Sequence, residues 1–318
     1  MIQNNTAFVF PGQGSQIAGM GKELYNNFNS AKEVFQIIDE ILKVKLSDII
    51  FNGPNEELLK TENTQPALMA VSLAIVKIIE KDFGKKISDL SSIVAGHSLG
   101  EYSALAAANS ISIEDAAKLL QVRGSAMARC ANKTEGAMAA ILNAQYDQIL
   151  NIVNQVANDS GICQIANDNS IGQIIISGSS DAINQAITLA KENGIRKAIK
   201  LPVGGAFHSE LMADAKNDMR QILSDIEFKE PKIKFINNIS ADFVYDVDNI
   251  KNSLIEQITG QVRWRETILL MEQNNIENII EIGSGKVLSG LTSRTCKNIN
   301  SKSVQNISDI EELINSYD

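Results

Sequence analysis

Gly96-His97-Ser98-Leu99-Gly100 is the chain's single Gly-x-Ser-x-Gly, a spacing that serves nucleophilic attack by the serine. A serine on a sharp strand-to-helix turn sits in strained backbone, and flanking glycines relieve the collisions there. Ser92–Ala95 reads as a short buried strand before the serine, and Glu101–Asn109 as the start of a long Ala-rich helix after it. A helix N-terminus points backbone N–H groups and a partial positive charge at such a serine, which suits a developing oxyanion. The bland alternative is an ordinary turn with an N-cap serine. The strand before and the helix after favour the nucleophile.

A serine hydroxyl attacks only when a base takes its proton. The chain has two histidines. His97 adjoins Ser98 at a strand end, where its neighbouring position turns it away from the serine's side. His208, in the flexible turn Gly204-Gly205-Ala206-Phe207-His208-Ser209 ahead of a helix, is the histidine free to act as base. No Asp or Glu stands out as its orienting partner; an amide or a backbone carbonyl serves equally well.

Gly12-Gln13-Gly14 follows the first strand closely and reads as an oxyanion-hole loop, a glycine-flanked N–H aimed at the acyl carbon. It fails as a dinucleotide fingerprint because Ile17 stands at the third glycine position. Gly285-Lys286 fails as a phosphate loop, with Val287 in place of Ser/Thr and Ile280 in place of the leading Gly. Arg123 sits on the apolar stripe Ala116, Leu119, Leu120, Met127 of a helix that starts near Ser112. A guanidinium facing the interior needs a partner. Either a core carboxylate or the carboxylate of a substrate, gripped bidentately, meets that need.

These residues must be positioned by an α/β fold. Ala7–Phe10 is a strand, Glu33–Leu42 and Ala67–Lys77 are helical, and the alternation argues a largely parallel sheet. After about residue 131 the pattern changes. Strands at Ala137–Leu142, Cys163–Ala166, Gln173–Ser177 and Arg196–Leu201 enclose helices at Tyr146–Val156 and Asp181–Glu192. That β-α-β-β-α-β order is ferredoxin-like, so 131–203 reads as a subdomain inserted between 1–130 and 204–318. The body resumes near Phe207 and closes with the strand Ile279–Ile282.

The bulk numbers exclude more than they choose. With 44% apolar and 21% charged residues the chain is an ordinary folded one. A net charge of −9 without a basic face argues against nucleic acid. Cys130, Cys163 and Cys296 are scattered, which suits a reducing compartment without disulfides or zinc. Met1–Phe10 lacks a signal-peptide pattern and no stretch reaches the roughly 20 apolar residues of a membrane span, so the expectation is a soluble cytoplasmic protein. Arg196-Lys197-Ala198-Ile199-Lys200 is the densest basic run, a docking surface or simply a solvated strand edge.

Phe8-Val9-Phe10-Pro11-Gly12-Gln13-Gly14-Ser15-Gln16 resembles the opening of the malonyl-CoA:acyl carrier protein transacylases and related acyltransferase domains of fatty-acid and polyketide synthases. So do Gly96-His97-Ser98-Leu99-Gly100-Glu101-Tyr102, Val122-Arg123-Gly124, Ala206-Phe207-His208-Ser209, Val262-Arg263-Trp264 and Glu281-Ile282-Gly283-Ser284-Gly285-Lys286-Val287-Leu288. The resemblance runs through nearly the whole chain. It implies an α/β-hydrolase-like body with a parallel sheet plus an inserted ferredoxin-like α+β subdomain. It also implies ping-pong transfer from malonyl-CoA to the phosphopantetheine thiol of acyl carrier protein through malonyl-Ser98, with His208 as base and no cofactor or metal. On that resemblance Gln13 and Leu99 supply oxyanion-hole amides, Arg123 holds the malonyl carboxylate, and Gln257 steadies the histidine. The Ala-Phe-His setting resembles the malonyl-selective form. Gly260-Gln261 replaces a common Asn-Pro, and Ile171 a common Pro before Gly172. The rival readings are a hydrolase, which gives the acyl group to water, and a non-catalytic module that keeps the fold.

Overall fold

The computed structural model describes residues 5–317; the first four residues of the Met1–Phe10 segment and Asp318 lie outside the described residues. Among the described residues ten strands form two sheets. The larger takes the order β10-β9-β1-β2-β7-β8, with β1 (Thr6–Phe10), β2 (Ile93–Gly96), β7 (Lys234–Ile236), β8 (Phe243–Val244), β9 (Asn278–Ile282) and β10 (Asn300–Val304). Its pairings are parallel except that of β7 with β8. β1 and β2 are buried along their whole length, as unbroken apolar runs in a sheet covered on both faces should be. Pairing of Val9 with Ala95 and Phe10 with Gly96 brings the loops after both strands together at their carboxyl ends, the usual ligand side of a parallel sheet.

Thr61–Lys81 is a helix buried nearly all round. The helix Ile113–Lys133 packs against it closely where Gly124 stands: a Cβ there would lie 2.7 Å from the Glu62 Cα. Ser112 caps this second helix by accepting from the Asp115 N–H.

The smaller sheet, order β4-β5-β3-β6, is antiparallel throughout, with β3 (Gly136–Leu142), β4 (Cys163–Ser170), β5 (Gln173–Ser179) and β6 (Lys197–Lys200). Alternate side chains point to opposite faces. Ala137, Ala139 and Ile141 pack with Ile149, Val156 and Ile183 of its two helices, whereas Met138, Ala140 and Ile175 join the core of the body. One sheet thus has its own helical cover and also walls the space above the larger sheet.

Three elements depart from the sequence expectation. The helix after Ser98 is short, Gly100–Ala107, and Asn109 in the left-handed region turns the chain away. β4 continues past Ala166 through polar residues because its edge is held: the Asp168 N–H donates to Val262 O, Val262 N–H to Ala166 O, and the buried Asp168 carboxylate pairs with Arg265 at 2.7 Å. β9 does not close the fold. β10, Asn-Ser-Lys-Ser-Val, adds an edge strand too polar to read as one, and the helix Ile307–Asn315 follows. Among the described residues no helix is long and apolar enough to cross a membrane.

Candidate active site

β2 runs straight into the turn that carries Ser98, whose φ is 53°. That left-handed value is strained for a residue with a side chain. Both glycines of the motif are sterically required. A Cβ on Gly96 would lie 1.9 Å from the Gly100 carbonyl carbon, and one on Gly100 2.3 Å from Phe10 O. The strained serine is tied at both backbone polar groups: its N–H donates to Asn238 Oδ1 (2.7 Å), and its carbonyl accepts from Gln257 Nε2 (2.9 Å).

Ser98 Oγ lies 2.8 Å from His208 Nε2, and His208 Nδ1 lies 2.8 Å from the backbone carbonyl of Gln257. A carbonyl only accepts, so the proton sits on Nδ1 and Nε2 is free to take the serine's. His208 lies in a turn ahead of a helix, as the sequence reads, and is buried there. Burial, then the Arg123 charge, pushes its pKa down to about 3, against the pull of the Gln257 carbonyl. The imidazole is therefore a neutral base. His97 does turn from Ser98: its Nε2 meets Asn169 Oδ1 at 2.9 Å and its ring packs edge-on against Trp264.

Arg123 is 1% exposed. Nη1 donates to Gln65 Oε1 (2.6 Å), and Nη2 to Gln257 Oε1 (2.9 Å) and Ser98 Oγ (3.1 Å). Among the described residues no carboxylate lies within ion-pair distance of it, and Nε has no partner. Of the two partners open to a buried guanidinium, the core carboxylate is not there. Neutral amides orient this charge without cancelling it.

Ser98, His208, Arg123, Gln13 and Leu99 line one cleft of ≈ 570 Å³, closed on the far side by Met138, Ala140 and Ile175 of the smaller sheet. Gln13 Oε1 accepts from Thr61 Oγ1. Among the described residues neither the Gln13 nor the Leu99 amide donates a hydrogen bond. Gln257 stands apart from this group: it is fully buried beneath the cleft and does not line it. It holds His208 through its main chain, while its side chain serves Arg123, Ser98 and Glu101.

The acyl transferase domain model matches residues 7–313. The chain belongs to that family. It is 42% identical to the malonyl CoA-acyl carrier protein transacylase of Bacillus subtilis (strain 168) over 308 residues, 97% of this chain and 96% of the relative. Its fold superposes on the crystal structure of an acyl-carrier-protein-S-malonyltransferase from Bartonella henselae with a TM-score of 0.94 at 45% identity, covering 98% of each chain. A structure of a type II PKS acyl-carrier protein in complex with its malonyl-transacylase matches with a TM-score of 0.93 at 34% identity, covering 98% of this chain and 99% of that one.

Four polar residues of this acyl transferase site escaped the sequence reading of roles. Gln65 and Asn238 carry no motif, although a glutamine just ahead of an apolar helical run was a signal for Gln65. Asn169 lies in the polar continuation of β4 beyond Ala166. Glu101 was inside a family motif but had no role; it is fully buried and contacts both Asn238 and Gln257. The basic run sits on β6, an edge of the smaller sheet, with Lys197 and Lys200 exposed. At the Gly260 departure a Cβ would lie 2.5 Å from Ile239 Cδ1, and Gln261 accepts from the Tyr146 hydroxyl. Ile171 is an exposed residue of the β4–β5 turn.

Proposed function

We propose that this acyl transferase carries malonyl groups from malonyl-CoA to acyl carrier protein, supplying fatty-acid synthesis, through a malonyl ester on Ser98. His208 Nε2 takes the hydroxyl proton as Ser98 Oγ attacks the thioester carbonyl. The Gln13 and Leu99 amides receive the oxyanion. As the tetrahedral centre collapses, the coenzyme A thiolate leaves with the proton from His208. The phosphopantetheine thiol of the carrier protein then attacks malonyl-Ser98, giving its proton to His208, which returns it to Ser98. Arg123 meets the malonyl carboxylate in a charge-assisted fork. The observation that carries this reading is the convergence on one serine oxygen of a neutral histidine at 2.8 Å and an arginine at 3.1 Å held by two amides and the Tyr102 ring, with no carboxylate in ion-pair distance among the described residues. A plain esterase has no use for that arginine.

Within this reading residues 131–203 are the inserted subdomain and 1–130 with 204–318 the catalytic body, supported by the separate sheet and core of the former. The cytoplasm suits three buried cysteine thiols. The test is intact-mass spectrometry after mixing with malonyl-CoA, then with carrier protein. One malonyl group should appear on the wild type, none on Ser98→Ala, and it should leave on addition of the carrier. Equal labelling of the alanine variant, or an adduct lost to water as fast as to the carrier, would sink the proposal.

A further inference from the structure

We propose that Glu101 is a positioning residue: its carboxyl sets which way the Gln257 side-chain amide faces, and so holds Arg123 where an acyl carboxylate must meet it. The inference rests on the role given to Arg123 above. Glu101 lies in the first turn of the helix Gly100–Ala107 and is fully buried, with no cation in ion-pair distance among the described residues. Burial pushes its carboxyl up to about 8, against the Asn238 N–H, the Arg123 charge and the Gln257 amide. An apolar side chain would fill the place at less cost.

Its two contacts define what the carboxyl does. Oε1 accepts from the Asn238 backbone N–H, and Oε2 from Gln257 Nε2. The Gln257 NH₂ group also donates to the Ser98 carbonyl. At the other end of the same amide, Oε1 accepts from Arg123 Nη2. A guanidinium only donates, and a carbonyl only accepts. One orientation of the Gln257 amide satisfies every partner; the other sets NH₂ against Arg123 and oxygen against three oxygens, those of Ser98, Glu101 and Asn238. Glu101 enforces the first as a carboxylate, which only accepts; with its carboxyl pushed up to about 8 that form prevails above pH 8, where the ratio below is read. Because the carboxyl acts through an amide, it does not form the direct ion pair that would compete with a substrate carboxylate for Arg123.

Glu101→Gln keeps the shape but sets an NH₂ against one of two N–H donors. Turning the Gln257 amide over relieves the clash and points its NH₂ at Arg123. The measurement is the ratio of kcat/KM for malonyl-CoA over acetyl-CoA. It should fall about tenfold, the worth of one hydrogen bond to a charged group, with acetyl transfer largely kept. Added to Arg123→Ala, Glu101→Gln should lower the ratio no further, because the two act through one contact. Equal losses on both esters, or independent falls that add, would overturn the inference. If Glu101→Gln does not fold, Gln257→Met removes the relay and must lower the ratio likewise; an unchanged ratio overturns the proposal. If Arg123→Ala itself leaves the ratio unchanged, it is the malonyl role of Arg123 that fails. A fall with Arg123→Ala but not with Glu101→Gln overturns the inference alone.

Discussion

Acidification tests the state of His208 directly. The base works only while Nε2 is unprotonated. An ordinary imidazole near 6.5 would be about nine-tenths protonated at pH 5.5, costing acylation about tenfold. Here burial, the Arg123 charge and, behind both, His97 hold His208 at about 3. Well under roughly 1% of it is then protonated at pH 5.5. The rate constant kcat/KM for malonylation of Ser98, read by rapid quench and intact mass, should therefore be flat from pH 7 down to 5. Glu101, pushed up to about 8, titrates above that window. An acid limb with its midpoint near 6.5 would refute the reasoning. Stability gives a second readout with a definite sign. Between 6.5 and about 3 the unfolded chain binds the His208 proton and the fold does not, so stability is lost as pH falls through that window. The slope reaches about 1.4 kcal/mol per pH unit for one proton. Glu101 acts oppositely: with its carboxyl raised from 4.5 to about 8 the fold holds the extra proton, and stability falls as pH rises through that range. Asp168 and Glu281, also raised by burial, share that sign. Comparison with His208→Ala isolates the histidine, and the variant should lose less stability than the wild type between pH 6.5 and 4.

Arg123→Ala should cut malonyl transfer relative to acetyl transfer by roughly 10- to 150-fold, since a charge-assisted contact is worth about 1.5–3 kcal/mol. An unchanged ratio with a lowered melting temperature would make Arg123 a purely structural residue. Gly100→Ala places a methyl group 2.3 Å from Phe10 O, against backbone that cannot yield. It should abolish Ser98 labelling and lower the melting temperature by several degrees; a variant of native stability and activity would show that the elbow relaxes.

What could be read along the chain was whatever physical need is local. The elbow was legible because the clashes at Gly96 and Gly100 follow from a turn of five residues, and because a buried strand and a helix flank it. Arg123 was legible as a buried charge because the helical period puts it in line with Leu119 and Met127, and all three are buried as expected. Alternation of short strands and helices announced the second sheet, whose period of two needs no distant partner. The chain could not announce the groups that satisfy these residues. His208 reaches Ser98 across 110 positions, and Arg123 finds Gln65 and Gln257 at separations of 58 and 134. The β4 extension and the polar edge strand β10 form because a neighbouring backbone offers hydrogen bonds, which side-chain hydrophobicity does not report. Glu101 shows the same division. Its place in a motif marked it, but only the fold gives it two N–H donors and an amide to turn. Side-chain type and spacing determine which residues are strained, apolar or costly to bury; hydrogen-bond direction among residues far apart in the chain is decided when the sheets and helices pack.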